Sequence, residues 1–248
     1  QAIKELVAAG ASVDAQMDGK MTPLHLAAEE GHTQTIKELV AAGASVDAQM
    51  DGKMTPLHLA AEEGHTQTIK ELVAAGASGD AQMDGKMTPL LWAARYGHTQ
   101  AIKELVAAGA SVDAQMDDKA TSLHVAAFQG HTQAIKELVA AGASVDAQMD
   151  GKRTPLHVTA FQGHTQAIKE LVAAGASVDA QMDDKRTPLH RAAEEGHTQA
   201  IKELVAAGAS VDAQMDGKMT PLLWAARYGH TQAIKELVAA GASVDAQM

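Results

Sequence analysis

Threonine recurs at Thr22, Thr55, Thr88, Thr121, Thr154, Thr187 and Thr220, always 33 residues apart, and nearly everything between these positions recurs with it. A fixed period of this length means a stack of small units, because one such unit cannot bury its own apolar face. Seven full units run over residues 17–49, 50–82, 83–115, 116–148, 149–181, 182–214 and 215–247. Residues 1–16 read as the second helix of a partial unit ahead of them, and the whole reads as one continuous domain.

The first unit reads MDGKMTPLHLAAEEGHTQTIKELVAAGASVDAQ. Asp18-Gly19 signals a hairpin turn, since both central positions can take positive φ. Thr22 can cap a helix, and Pro23 suits its first position, where a missing N–H costs nothing. That helix is expected to run to about Glu30 and to stop at Gly31. Thr33 can cap a second helix, on which Ile36, Leu39 and Val40 form one apolar stripe, and Gly43 closes it. Helices this short are not stable alone in water, so each must pack on its neighbours in a continuous core.

The 33-residue period with TPLH-x-A-A, then GH, then GA-S-V-D, closely resembles the ankyrin repeat over the whole chain. The resemblance implies an all-α repeat fold: a solenoid of paired antiparallel helices, with β-hairpin or turn fingers and a concave groove that holds partner proteins. Departures are local. Ser122 stands for the proline, Leu91 and Leu223 for the TPLH histidine, Thr159 for a packing alanine and Gly79 for a valine.

Comparison of the units locates the variation. The second helix is almost invariant, with eight copies of IKELVAAGAS. The first helix and the finger vary. The residue before the threonine is Met21, Met54, Met87, Ala120, Arg153, Arg186 or Met219. The residue after the TPLH histidine is Leu26, Leu59, Trp92, Val125, Val158, Arg191 or Trp224. The next variable pairs include Glu29-Glu30, Arg95-Tyr96, Phe128-Gln129, Phe161-Gln162 and Arg227-Tyr228. Positions 26, 29 and 30 share one helix face. In the ankyrin family that face and the fingers line the binding groove.

All six aromatic residues lie at these variable positions. Aromatics and arginine dominate interface energetics. Trp92, Arg95, Tyr96, Phe128, Phe161, Arg153, Arg186, Arg191, Trp224, Arg227 and Tyr228 are therefore the candidate partner-binding residues. The competing reading is that the aromatics pack between adjacent first helices. Charge is zoned as well: repeats one and two carry −3 each, while three, five and seven are neutral. Such zoning would orient a partner or merely aid solubility.

Other chemistry finds little support. The net charge of −11, without a basic stripe, argues against nucleic acid and anionic membranes. No apolar run approaches the ~18 residues of a membrane span, and no signal peptide is visible, although the pattern starts mid-unit at Gln1. The absence of cysteine excludes disulfides and thiolate sites and fits a reducing compartment. Twelve histidines recur as His25 and His32 and their counterparts. At about 10 Å per layer they cannot close around one ion, so each is expected to be structural: His25 near Thr22, and His32 tied to a neighbouring unit. No catalytic set, cofactor or metal site, or small-molecule substrate is expected. Two readings remain. One is a non-enzymatic scaffold that binds a protein through the groove. The other is a consensus-like or engineered array with no evolved partner, favoured by the identity of repeats three and seven over all 33 residues. At the two ends, Ile3, Leu6 and Val7, and Ile234, Leu237 and Val238, match internal core positions, which predicts fraying or head-to-tail association.

Overall fold

The computed structural model describes residue 5 and residues 9–244. The chain divides into two compact units, residues 1–117 and 118–248. The first unit holds α1 (Pro23–Glu29), α2 (Thr33–Ala41), α3 (Pro56–Glu62), α4 (Thr66–Ala74), α5 (Pro89–Tyr96) and α6 (Thr99–Ala107). The second holds α7 (Ser122–Gln129), α8 (Thr132–Ala140), α9 (Pro155–Gln162), α10 (Thr165–Ala173), α11 (Pro188–Glu194), α12 (Thr198–Ala206), α13 (Pro221–Arg227) and α14 (Thr231–Ala239). Each repeat supplies one antiparallel pair. Within each unit, first helices pack on first helices and second on second, so every pair stacks on the next.

The stack follows from what each helix can bury. Leu24, Ala27 and Ala28 of α1 and Ile36 and Leu39 of α2 are buried, as are most of their counterparts in later repeats. The two alanines let successive first helices approach closely. Each fully buried leucine or isoleucine contributes roughly 2 kcal/mol. At the far end, Ile234 is half-buried where its internal counterparts are buried, and Val238 is 44% exposed. Ile3, Leu6 and Val7 lie outside the described residues.

Polar groups lock the joints. His25 occupies the third position of α1 and completes a capping box with Thr22 in place of the usual glutamate. Its Nδ1 accepts from the Thr22 N–H at 3.2 Å, and its Nε2 donates to the Met54 carbonyl of the next repeat at 3.2 Å. The GH histidine reaches the other way. His65 Nε2 donates to the Glu29 carbonyl of the preceding repeat at 2.9 Å. Its ring lies so close over Gly31 that a Cβ there would come within 2.8 Å of it, and Gly31 has φ +69°. Only glycine satisfies both demands. Partly exposed ion pairs such as Lys37–Glu71 at 3.1 Å and Lys169–Glu203 at 3.2 Å run between successive second helices.

Two local expectations are corrected. Thr33 is the first residue of α2, with His32 in the cap position; the Thr33 hydroxyl donates back to the Gly31 carbonyl. The positive φ values of the finger fall on Gly19 (75°) and Lys20 (61°), one residue later than the Asp-Gly signal implies. The turn closes by Lys20 N–H to Met17 O and Met17 N–H to Met21 O, both 3.0 Å. In repeats four and six the glycine is Asp118 or Asp184, whose carboxylate accepts the N–H of Ala120 or Arg186. Among the described residues the β content is one isolated bridge, Met149 with Arg153.

Candidate functional site

The variable residues sit on a rigid frame. Thr22 and its counterparts are buried, and each fixes the start of a first helix. Positions four, seven and eight, counted from the first residue of that helix, then present their side chains on one face.

In the first unit this face carries Trp92, Arg95 and Tyr96 of α5. Trp92 and Tyr96, one turn apart, stack with centroids at 5.8 Å and planes 7° apart. The Arg95 guanidinium lies 5.7 Å from the Trp92 ring. The indole N–H donates to Met83 Sδ at 3.0 Å, and the Tyr96 hydroxyl donates to Glu62 of α3 at 3.3 Å. Tyr96 remains 45% exposed. Burial raises the Glu62 carboxyl above its ordinary pKa; the Tyr96 hydrogen bond opposes this, and the nearby Glu63 and Glu29 reinforce it.

In the second unit the same segment recurs on α13. Trp224 stacks on Tyr228 at 5.5 Å, with Arg227 5.6 Å from the indole and the indole N–H on Met215 Sδ. The neighbours differ, however. Arg186, from the finger of the preceding repeat, lies 5.9 Å from the Trp224 ring. Its Nε donates to Asp184 at 2.7 Å and its NH1 to Glu194 at 3.3 Å. Burial alone would raise the Asp184 carboxyl, but hydrogen bonds from Arg186 bring it below its ordinary pKa. Arg191 lies 4.1 Å over Phe161 and bonds the same Glu194 oxygen. Burial lowers the Arg191 pKa, and Glu194 opposes the shift. Arg153 donates through Nε to the Asp150 carbonyl at 3.0 Å. Phe128 on α7 is 52% exposed.

The helix face therefore combines features of both sequence readings. The tryptophans contact tyrosine, arginine and methionine, yet Tyr96, Phe128 and Tyr228 remain about half exposed. The slot of Trp92 is only partly open at Arg191, which packs onto Phe161; it is buried at Leu59 and open at Leu26, 41% exposed. Sequence reasoning missed the methionine partners of the indoles and the Arg186–Glu194 contact, because both depend on side-chain direction between finger and helix; the Arg191–Glu194 pair is an i, i+3 neighbour that helix spacing signals.

The histidines are engaged in the joints. His58 and His157 are pushed down to about 4 by burial, against the opposing hydrogen bonds to Met87 and Arg186 carbonyls. His25, His124 and His190 are lowered for the same first cause. Among the described residues, no group of three His, Cys, Asp or Glu could hold a metal ion. No helix among them is long and apolar enough to cross a membrane.

Stacked helix pairs with closed-turn fingers define a helical repeat protein. The chain belongs to the ankyrin repeat family: the family model described as "Ankyrin repeats (3 copies)" matches residues 1–83, 78–149, 123–215 and 156–248. The crystal structure of the human ASB11 ankyrin repeat domain superposes with a TM-score of 0.81 at 28% identity, covering 90% of this chain and 99% of that one. In all, 536 solved chains match, a breadth that marks a common scaffold and selects no partner. Comparison with curated protein sequences gives no match. Ankyrin repeats are generally protein–protein interaction modules, and the fold is typically a non-enzymatic scaffold.

Proposed function

We propose that this chain is a non-enzymatic scaffold that binds a protein partner on its first-helix and finger face. The observation that carries this reading is the placement of half-exposed aromatics and guanidiniums, Tyr96, Phe128, Tyr228, Arg95 and Arg227 among them, at varied positions of an otherwise uniform frame. Mixed aromatic and arginine surfaces are where binding energy concentrates. Trp92, Phe161, Arg153, Arg186, Arg191 and Trp224 complete the set of contact residues.

The test compares the intact chain as bait with a chain carrying alanine at all six aromatic positions. Proteins captured by the first and lost by the second are then purified and rebound. For such a partner, Trp92→Ala and Tyr96→Ala should each weaken binding more than about ten-fold while leaving the melting temperature nearly unchanged. Unfolding by these substitutions would assign the aromatics to the core instead.

A second reading has its own support. Repeats three and seven are identical over 33 residues, as expected of a consensus-like or engineered array without an evolved partner. Equal capture by the two baits favours it.

A further inference from the structure

The second unit supports a more specific statement, which rests on the interaction reading above. We propose that the row formed by Phe161, Arg191, Arg186 and Trp224 docks an acidic segment of a partner, and that Glu194 holds, in the free protein, the place of a partner carboxylate.

The row spans three repeats. Arg191 covers the Phe161 ring at 4.1 Å and Arg186 covers the Trp224 ring at 5.9 Å. Both guanidiniums then turn to one oxygen, Glu194 Oε2. Each guanidinium carries five N–H donors, so a single shared oxygen leaves most of them without a carboxylate. Asp184 takes only Nε of Arg186. Arg153, on the finger before, engages a backbone carbonyl and no carboxylate. Of the nearby carboxylates, only Asp184 and Glu194 bond these guanidiniums; the exposed Glu195 acts on Arg191 without a direct bond. The ring contacts restrain both guanidiniums, which limits the freedom lost when a carboxylate arrives. Arg191 is half-buried, and a charge-assisted bond to it is strengthened by its low-dielectric setting. A cationic segment would meet three arginines and is disfavoured. Phe161 on α9 and Trp224 on α13 are two helix layers apart, roughly 20 Å. An extended segment of about six residues covers that span, with apolar side chains over the rings and acidic ones on the guanidiniums.

The experiment uses the full chain and fluorescein-labelled, end-blocked decapeptides that alternate glutamate, glutamine or lysine with leucine. A labelled ten-nucleotide oligoadenylate is the fourth probe, and binding is read by fluorescence anisotropy at low and physiological salt. The glutamate peptide should bind at least ten-fold tighter than the glutamine peptide, and more weakly as salt rises. Arg186→Ala and Arg191→Ala should each weaken it about ten-fold or more. Glu194→Gln should tighten it several-fold, because both guanidiniums lose the carboxylate they share. A row that only braces the repeats would show no such gain. Circular dichroism melts verify that each variant is folded, and the peptide series and Glu194→Gln remain decisive if an alanine variant is not. Equal binding of the glutamine peptide, tighter binding of the lysine peptide or the oligoadenylate, no binding of any probe, or no gain with Glu194→Gln would overturn the assignment. Binding of a non-acidic peptide that is lost on Trp224→Ala would end the acidic assignment and leave the interaction reading standing. The bait comparison decides that reading independently.

Discussion

Ser122 illustrates how much one residue reveals when six siblings differ from it. It replaces the proline at the first position of α7, and its hydroxyl is fully buried with no hydrogen-bond partner. Ser122→Pro removes an unsatisfied polar group and restricts the unfolded chain, so it should stabilise by roughly 1–2 kcal/mol. A denaturant midpoint that does not rise refutes this. Two other departures matter less than the sequence suggests. The Thr159 hydroxyl donates to the carbonyls of Leu156 and Pro155 at 3.0 and 3.2 Å, so it is buried but satisfied. Thr159→Ala should therefore shift stability by less than about 1 kcal/mol. Gly79 is half-buried, and an added Cβ would meet Ala110 at 3.6 Å, an ordinary contact. Gly79→Val should raise stability by about 1 kcal/mol, the lower end of what full burial would give. Equilibrium unfolding of the two single variants measures both. At this scale the sequence was readable wherever a copy broke the pattern. It was silent on Lys20 and its counterparts, which hold φ near +60° in every repeat. Lysine has no preference for that region, and only the closed turn imposes it.

At the scale of the helix pair, the TPLH histidine is the element that couples pH to stability. Its Nδ1 accepts from a backbone N–H and its Nε2 donates to a carbonyl, so the neutral ring fits and the charged ring does not. The folded pKa is lowered, so the native state binds fewer protons than the unfolded one. The stabilisation is complete above about 6.5 and is lost as pH falls from there toward about 4. For His58 and His157 the loss at pH 5 is about 2 kcal/mol each. Urea midpoints should fall clearly between pH 7.5 and pH 5, and His58→Leu, the residue found in repeats three and seven, should shrink that fall. Equal midpoints would contradict the assignment. The capping role of this histidine was legible from its place three residues after Thr22. Its bond to the next repeat was not, because the acceptor carbonyl lies 29 residues away and only stacking brings it near.

For the whole molecule, the period alone specified the architecture, since a 33-residue unit has few ways to bury its stripe. The candidate site was legible only as a set of positions. Which arginine meets which ring depends on the neighbouring repeat: the same Trp-Ala-Ala-Arg-Tyr segment faces Glu62 on α5 and has Arg186 beside it on α13. Exposure of Val238 and partial exposure of Ile234 motivate a further expectation. A polypeptide of these 248 residues should show weak head-to-tail association, as an open-ended contact. Sedimentation equilibrium over a concentration series measures it, and a single monomeric mass up to millimolar concentration would refute it.

The paired histidine bonds have a mechanical corollary. Within each unit one ring reaches forward and another reaches back, so neighbouring repeats are clasped by nearly the same fastener wherever both rings are present. A chain held at its termini and stretched would then give way one repeat at a time rather than all at once. Each release would pay out 33 residues, a lengthening of roughly 100 Å after the thickness of the folded layer is subtracted.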